Sequence, residues 1–322
     1  MSKQRSLSVD IAKGIAIIAI VLGHISFSYP NFSLVSPEDL LFRLWHVPIF
    51  FILGGFFIKE EELNQPKYWF KKKFSSLYLK LLYFYIPAVL LHNLFIKIGW
   101  YSTLSTTSIV KVYAFTDFIK HIILTICLAG REPIVGPMWF VYVLFMALIC
   151  LSILSWAFCK IVDDSTKRNQ LMFVVMLGLT IISGVLSNKY GLTIRRFSNV
   201  FTAMFLIYIG WLMNRKFCLK YDNGLICIAC AMIGIEVACM LGGVNLNSNS
   251  YKDILQLIVA SPAILYFIMY VGKKIENSVL GKCLGKIGRE SFYIMALHLA
   301  GMKVCTIVLK SVMIGRTPPY RT

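Results

Sequence analysis

The chain has 322 residues, of which 58% are hydrophobic and 15% charged, and its formal net charge is +18. Soluble domains average about 45–50% apolar and about 25% charged residues. Apolar runs of about 20 residues recur from end to end, mostly without amphipathic spacing, which argues against a large soluble α-helical protein. The sequence therefore predicts an all-α, polytopic membrane helical bundle of about nine to ten spans, forming a single domain over residues 1–322.

The positive charge lies in short segments between the apolar runs. This pattern is typical of loops that face the cytoplasm, rather than of a nucleic-acid-binding surface. The expected partners are the lipid bilayer, anionic lipids and the phosphates of an acidic cofactor, and no nucleic acid. The nine cysteines are scattered, mostly inside apolar runs, so we expect no structural disulfides and no metal or redox site at Cys227 and Cys230.

The first apolar stretch, from Ile11 to Phe27, has Asp10 at its start and contains Lys13 and His24. Ionisable side chains are costly inside a bilayer and mark functional sites. Lys13 and His24 are eleven residues apart, which places them within about 20° on one helix face and roughly 16 Å apart along its axis. Asp10 falls on the same side. Because Asp10 and Lys13 interrupt the stretch and no A-x-A site follows it, we expect a first spanning helix rather than a cleaved signal peptide.

Nine spans are predicted in chain order. They lie at about 8–27, 41–58, 74–98, 138–160, 170–187, 198–213, 223–241, 253–272 and 290–310. With the N-terminus in the cytoplasm, the inner segments are rich in lysine and arginine, whereas the outer segment 28–40 has neither. Arg195 and Arg196 run against this bias. The mixed stretch 109–128 lies along the outer surface, re-enters the membrane or supplies another crossing.

His46 opens the second span, within Arg43-Leu-Trp-His-Val-Pro48. On this topology His24 and His46 share one depth near the outer side. A histidine there is suited to act as a general base toward a hydroxyl, since its unperturbed pKa lies near neutrality. The alternative is a helix-end histidine bonded to a carbonyl. Gly54 and Gly55 allow the close approach of a ligand or of another helix.

Two later segments carry clustered cations. Lys71, Lys72 and Lys73 form either a positive-inside anchor or a phosphate-binding patch at the start of the third span. The run Gly281-Lys-Cys-Leu-Gly-Lys-Ile-Gly-Arg289 also offers glycines and cations, but it matches no P-loop spacing.

Three further residues stand out in the later spans. His298 lies near mid-membrane and is either functional or a satisfied core residue. Glu236 is similarly placed, and for it we expect the core role. Trp139 begins the fourth span, where tryptophan is normally an interface anchor.

Together these segments resemble acyltransferase family 3, especially its fucose 4-O-acetylase-like branch. The stretch from Asp10 to His24 is similar to the family's Arg-x10-His signature, with Lys13 in the arginine place. The block His46-Val-Pro-Ile-Phe-Phe-Ile-Leu-Gly-Gly-Phe56 resembles His-x-Pro-x-Phe-Phe-x-x-Ser-Gly, with a glycine in the serine position. The three lysines, Trp139-Phe140 and the stretch from Gly288 to His298 follow in the expected order.

This resemblance implies an O-acyltransferase of the bacterial cytoplasmic (inner) membrane. Such an enzyme moves an acyl group, usually acetyl from cytoplasmic acetyl-CoA, to a hydroxyl of a cell-surface polysaccharide or its lipid-linked sugar precursor. The catalytic residues would be His24, as general base or acyl carrier, and His46. The donor would bind Lys13, Lys71, Lys72, Lys73 and Arg289. Supporting or acceptor-side residues would be Asp10, Trp139 and His298, and no metal is expected.

Two departures from the family pattern matter. Lysine in place of arginine loses planar bidentate geometry, so Lys13 would contact the donor as a point charge. The family usually has ten spans, one more than the nine predicted here.

The main alternative function is a transporter or flippase for polysaccharide intermediates, which intramembrane charges also suit. The small size and the absence of internal repeats speak against it.

Overall fold

The computed structural model describes residues 6–28, 44–101, 110–191 and 197–314. Two regions discussed above lie outside the described residues. They are the outer segment after Ser28 and the pair Arg195 and Arg196. We number the α-helices α1 to α14 in chain order. They are α1 Leu7–Ser28, α2 His46–Phe56, α3 Glu60–Leu63, α4 Pro66–Lys73, α5 Leu79–Leu90, α6 His92–Lys97, α7 Phe115–Ile126, α8 Trp139–Ile161, α9 Ser165–Tyr190, α10 Phe197–Trp211, α11 Gly224–Leu241, α12 Ser261–Ile275, α13 Val279–Arg289 and α14 Ser291–Ile314.

Four short helical turns of other geometry adjoin these helices. A 3₁₀ turn at Pro133–Met138 leads into α8. The π-helical turns lie at Phe74–Tyr78, Leu212–Lys216 and Gln256–Ala260. The described chain contains no named strand, and its one isolated β-bridge joins Asn245 and Ser250. The prediction of an all-α membrane bundle is confirmed.

Seven helical segments of the described ranges are long and apolar enough to cross a membrane. They coincide with seven of the nine predicted spans. The other two predictions match shorter elements. The span expected at 41–58 contains the 11-residue helix α2, and the span expected at 74–98 is broken at Leu91, between α5 and α6. The total of about nine to ten spans therefore stays a prediction.

The chain forms two compact units, a larger one from residues 1–78 and 139–291 and a smaller one from 79–138 and 292–322. In the larger unit, α10 lies at the centre: every residue except Phe197 and Phe201 is buried. A helix that is apolar on all sides has no face suited to water, so a central position is expected. The smaller unit contains α5, α6, α7 and α14, and in it α5 packs against α7.

Helices α2 and α10 touch through their backbones at a pair of glycines. A Cβ added to Gly55 would overlap the carbonyl oxygen of Ile207, and one added to Gly210 would overlap that of Ile52. Small residues at helix crossings allow this close approach in membrane proteins. The glycines of the second span thus include one that packing requires.

We expect Gly55→Ala to destabilise the protein by about 1–3 kcal/mol, the usual cost of forcing a methyl group into a packed interior. Neither backbone can move away without separating α2 from α10. Gly54→Ala is the matched control, because among the described residues its Cβ would meet only Leu144 Cδ1 at 3.6 Å and Ile207 Cγ1 at 4.0 Å. Thermal unfolding of the detergent-solubilised variants measures the difference. Equal losses in both variants would contradict the assigned contact.

Candidate active site

Asp10, Lys13 and His24 all lie on α1 in the larger unit. Asp10 is buried, with 2% of its surface exposed, while Lys13 and His24 are half-buried. The Lys13 ammonium lies 4.8 Å from the centroid of the Phe57 ring, just after the end of α2. A cation over an aromatic face is stabilised by the ring's negative face. The start of α1 is thereby joined to the end of α2.

Helix α12 shows how α1 and α2 run relative to each other. At its start, the Ser261 hydroxyl lies 3.4 Å from the carbonyl oxygen of Leu44, two residues before α2 begins. Near its end, a Cβ on Gly272 would lie 3.3 Å from the carbonyl oxygen of Ser8, at the start of α1. Helix α12 therefore reaches from the start of α2 to the start of α1. Since α2 ends beside Lys13, α1 and α2 are antiparallel.

This antiparallel packing sets the depth of the two histidines. Eleven residues separate Lys13 from His24 on α1, and eleven separate Phe57 from His46 on α2. Each interval is about 16 Å of helix. Measured from the Lys13–Phe57 contact, His24 and His46 therefore lie at the same level, at the opposite end of the α1–α2 pair. His46 is half-buried, like His24.

Helix α13 brings Arg289 to the Lys13 end. A Cβ on Gly288 would overlap the carbonyl oxygen of Asp10, and one on Gly14 would overlap that of Leu284. The two backbones are thus in direct contact, and Arg289 follows Gly288 as an exposed residue. The glycines of this run belong to a helix that packs on α1, so they are packing residues and not a phosphate-binding loop. The exposed face of α13 carries its cations: Lys282, Lys286 and Arg289.

The three lysines at the end of α4 lie elsewhere in the larger unit, where α4 packs on α8. Lys71 is exposed. Lys72 bonds Glu62 at 2.5 Å, and this hydrogen bond lowers the pKa of Glu62 and raises the pKa of Lys72. Lys73 lies 4.3 Å from the Trp69 ring centroid. Burial lowers the pKa of Lys73 to about 8, and the charge of Lys72 acts in the same direction.

Trp139, at the start of α8, belongs to the histidine end of the site. Its ring lies perpendicular to that of Phe140, with centroids 6.4 Å apart. The Phe140 ring in turn packs on Phe51 at 4.5 Å and on Phe50 at 5.8 Å. Phe50 is one helical turn beyond His46. The contacts therefore place Trp139 beside the first half of α2.

His298 and Glu236 differ from the residues above. His298 lies on α14 of the smaller unit, where its Nδ1 donates to the carbonyl oxygens of Ile294 (2.9 Å) and Met295 (3.1 Å). Its acceptor-side role stays a prediction. Glu236 is exposed on the outside of α11, so the expectation of a buried core residue is wrong. Hydropathy locates a residue along a span, but Glu236 faces away from the fold because α11 buries only one narrow stripe.

The smaller unit contains a polar cluster that the sequence analysis did not identify. The Glu132 carboxylate, 1% exposed, accepts hydrogen bonds from His92 Nδ1 (3.0 and 3.1 Å), Tyr101 (3.0 Å) and Tyr113 (3.1 Å). His121 bonds Tyr113 in addition. These residues span forty positions without a short motif. The mixed stretch 109–128, polar in an otherwise apolar chain, is the signal that pointed to the region.

The fold and these positions define a class: an all-α, multi-pass membrane protein whose first helix carries a lysine and, eleven residues on, a histidine. The chain belongs to acyltransferase family 3, since the family profile described as an acyltransferase domain matches residues 6–319, nearly the whole chain. It is therefore a membrane acyltransferase. The fucose 4-O-acetylase-like branch stays a prediction. No curated protein and no solved structure matches the chain significantly.

Proposed function

We propose that this membrane acyltransferase moves an acetyl group from cytoplasmic acetyl-CoA to a hydroxyl of a cell-surface polysaccharide or of its lipid-linked sugar precursor. The observation that carries the proposal is the arrangement along α1 and α2. A cation lies at one end of this helix pair, and two histidines lie at one level about 16 Å away. An acyl donor with a charged head and a long thin arm fits such an arrangement.

The donor end requires cations for the phosphates of CoA. Lys13 lies at that end, and α13, which packs on α1 there, carries Arg289 and two lysines on its exposed face. Lys73 is a further candidate on a different helix pair. Its surroundings disfavour its positive charge, and a bound phosphate would favour that charge again. Lys72 is already bonded to Glu62 and is the weakest candidate of the three α4 lysines.

The histidine end supplies the proton acceptor. As the acceptor hydroxyl forms its bond to the acyl carbon, its O–H bond breaks and His24 takes the proton. The carbon–sulfur bond breaks, and its electron pair leaves with the CoA thiolate. In the alternative course, His24 first takes the acyl group on its ring nitrogen and then passes it to the acceptor. His46, at the same level, would orient His24 or contact the acceptor sugar.

The proposed orientation places the N-terminus in the cytoplasm of a bacterial inner membrane. It is supported by the ends of the helices that would run inward. Basic residues lie at the ends of three helices. They are Lys160 at the end of α8, Arg215 and Lys216 in the π-helical turn after α10, and Lys273 and Lys274 at the end of α12. Cations collect on the cytoplasmic side of membrane proteins. Lys13 then lies on the donor side and His24 on the acceptor side.

The proposal is tested by mass spectrometry of surface glycans from cells with and without the intact chain. We expect glycans from wild-type cells to carry a mass increment of one acyl group that is absent after deletion, and the increment identifies the acyl group. Identical acylation in both strains would contradict the proposal for that glycan. Loss of polymer export with unchanged acylation would favour the transporter alternative.

A further inference from the structure

The cluster around Glu132 in the smaller unit has a defined pattern of hydrogen bonds. His92 bonds Glu132 through Nδ1 and the carbonyl oxygen of Lys111 through Nε2 (3.0 Å). The carbonyl oxygen of Lys111 can only accept, so Nε2–H of His92 donates to it. The hydroxyls of Tyr101 and Tyr113 donate to the two carboxyl oxygens of Glu132.

This pattern fixes the state of His121. The proton of the Tyr113 hydroxyl is used toward Glu132, so its oxygen accepts from Nδ1–H of His121 at 3.3 Å. In a neutral ring protonated at Nδ1, Nε2 carries a lone pair. Burial lowers the pKa of His121, which favours this neutral ring. Within the described residues, Nε2 has no hydrogen-bond partner and is not enclosed by other atoms.

The ring of His121 is also held in place by stacking. The His92 and Tyr113 rings are parallel, with centroids 3.5 Å apart and an interplanar angle of 2°. The Tyr113 and His121 rings follow at 4.4 Å and 17°. His121 is the half-buried outer member of this three-ring stack, while the two inner members are buried. Its lone pair is therefore pre-oriented, which reduces the ordering cost of binding a ligand there.

Helix α7, which carries His121, has a separate apolar stripe. Phe115, Ile119, Ile123 and Ile126 are exposed and fall within about 80° of one another around the helix. His121 lies on nearly the opposite side. A helix of this kind lies in the membrane interface with its apolar face toward the lipid. If 109–128 lies along the outer surface, which is one of the arrangements predicted for it, the polar side of α7 faces the outer headgroup region, where surface glycans are presented.

We propose that Nε2 of His121 accepts a hydrogen bond from a hydroxyl of the acyl acceptor, so that the polar side of α7 is an acceptor-glycan binding surface. The inference rests on the proposed function for the identity of the ligand. Tyr113 and Glu132 are positioning residues, because they set the tautomer and orientation of His121 without contacting the glycan. A hydroxyl donor matches the site, since the open ring nitrogen offers only a lone pair.

The test uses the full-length detergent-solubilised protein and unacylated glycan fragments isolated from the deletion strain. We expect His121→Ala to weaken glycan binding, measured by calorimetry, and to raise the KM for the glycan roughly three- to tenfold, the range for one hydrogen bond. The kcat at saturating glycan should be unchanged. His121→Gln, whose side-chain oxygen is an acceptor, should recover part of the affinity. Thr116→Ala is the control, because this exposed residue lies beside the apolar stripe, about 140° from His121 around the helix.

The outcomes separate this inference from the proposed function. His24→Ala should lose turnover but bind the glycan normally. If the wild type transfers no acyl group, the calorimetric comparison still decides, because it needs no reaction. Equal affinity of wild type and His121→Ala, no glycan binding by the wild type, or a loss confined to kcat would each overturn the inference. If His121→Ala fails to fold, the comparison of His121→Gln with Thr116→Ala replaces it.

Discussion

Replacing His24 by alanine is expected to lower the kcat of acyl transfer by at least about 10²-fold, the lower end of what a positioned general base contributes. The side chain lies at one level with His46, on the α1 face that also carries Lys13. Its loss removes either the proton acceptor or the acyl carrier, and water is a poor substitute for both. Transfer from radiolabelled acetyl-CoA to unacylated glycan in membrane vesicles measures the effect.

Gly23→Ala is the matched control for that experiment. It adds a methyl group to the neighbouring position of α1, where a Cβ would meet no atom of the described residues within 4 Å. Expression, thermal stability and donor binding should be the same in both variants. Full transfer activity in a folded His24→Ala protein would remove His24 from the mechanism and leave His46 as the remaining histidine at that level.

The two courses for His24 differ in what accumulates without an acceptor. An acyl-histidine course leaves the label on the protein after incubation with radiolabelled acetyl-CoA alone, whereas direct transfer leaves the protein unlabelled. The wild type and His24→Ala form the necessary pair. The position of His24 at one end of the α1–α2 pair is compatible with both courses.

The long spans were predictable because each is a continuous apolar run, and seven of them occur where expected. Hydropathy was less informative about where a helix breaks and about which way a side chain points. Prediction of a span at 74–98 did not anticipate the break at Leu91, because hydropathy contains no term for helix continuity. Glu236 was assigned to the core for a related reason: the direction in which a span residue points depends on its neighbours.

In the candidate site, too, the arrangement within one helix was predictable and the contacts between distant segments were not. The stripe on α1 was predictable because its members lie on one helix, where spacing alone fixes their relative positions. The packing role of Gly288 on α13 could not be predicted from its neighbours in the sequence. It packs against the backbone of Asp10, almost 280 residues away in the chain. The Glu132 cluster was missed for the same reason, since only folding brings His92 to Glu132.

Replacing Lys13 by methionine is expected to raise the KM for acetyl-CoA by about 10-fold or more, with a smaller effect on kcat. Methionine keeps an unbranched apolar side chain beside Phe57 but removes the charge that lies over its ring. A hydrogen bond between a charged group and a phosphate contributes about 1.5–3 kcal/mol, which corresponds to this loss. Initial rates at varied acetyl-CoA and saturating glycan measure both constants.

Salt and a second lysine distinguish a donor contact from a structural role of Lys13. If Lys13 binds phosphate, the wild-type KM for acetyl-CoA rises with ionic strength, and it rises less steeply in Lys13→Met, because one screened attraction is already missing. Lys13→Arg should retain most of the affinity, since the charge is kept. Lys67→Met, at an exposed lysine of α4, should leave KM unchanged. A Lys13→Met protein with reduced thermal stability and an unchanged KM would instead assign Lys13 to holding α1 against α2. The donor phosphates would then have to bind the cations of α13 or Lys73.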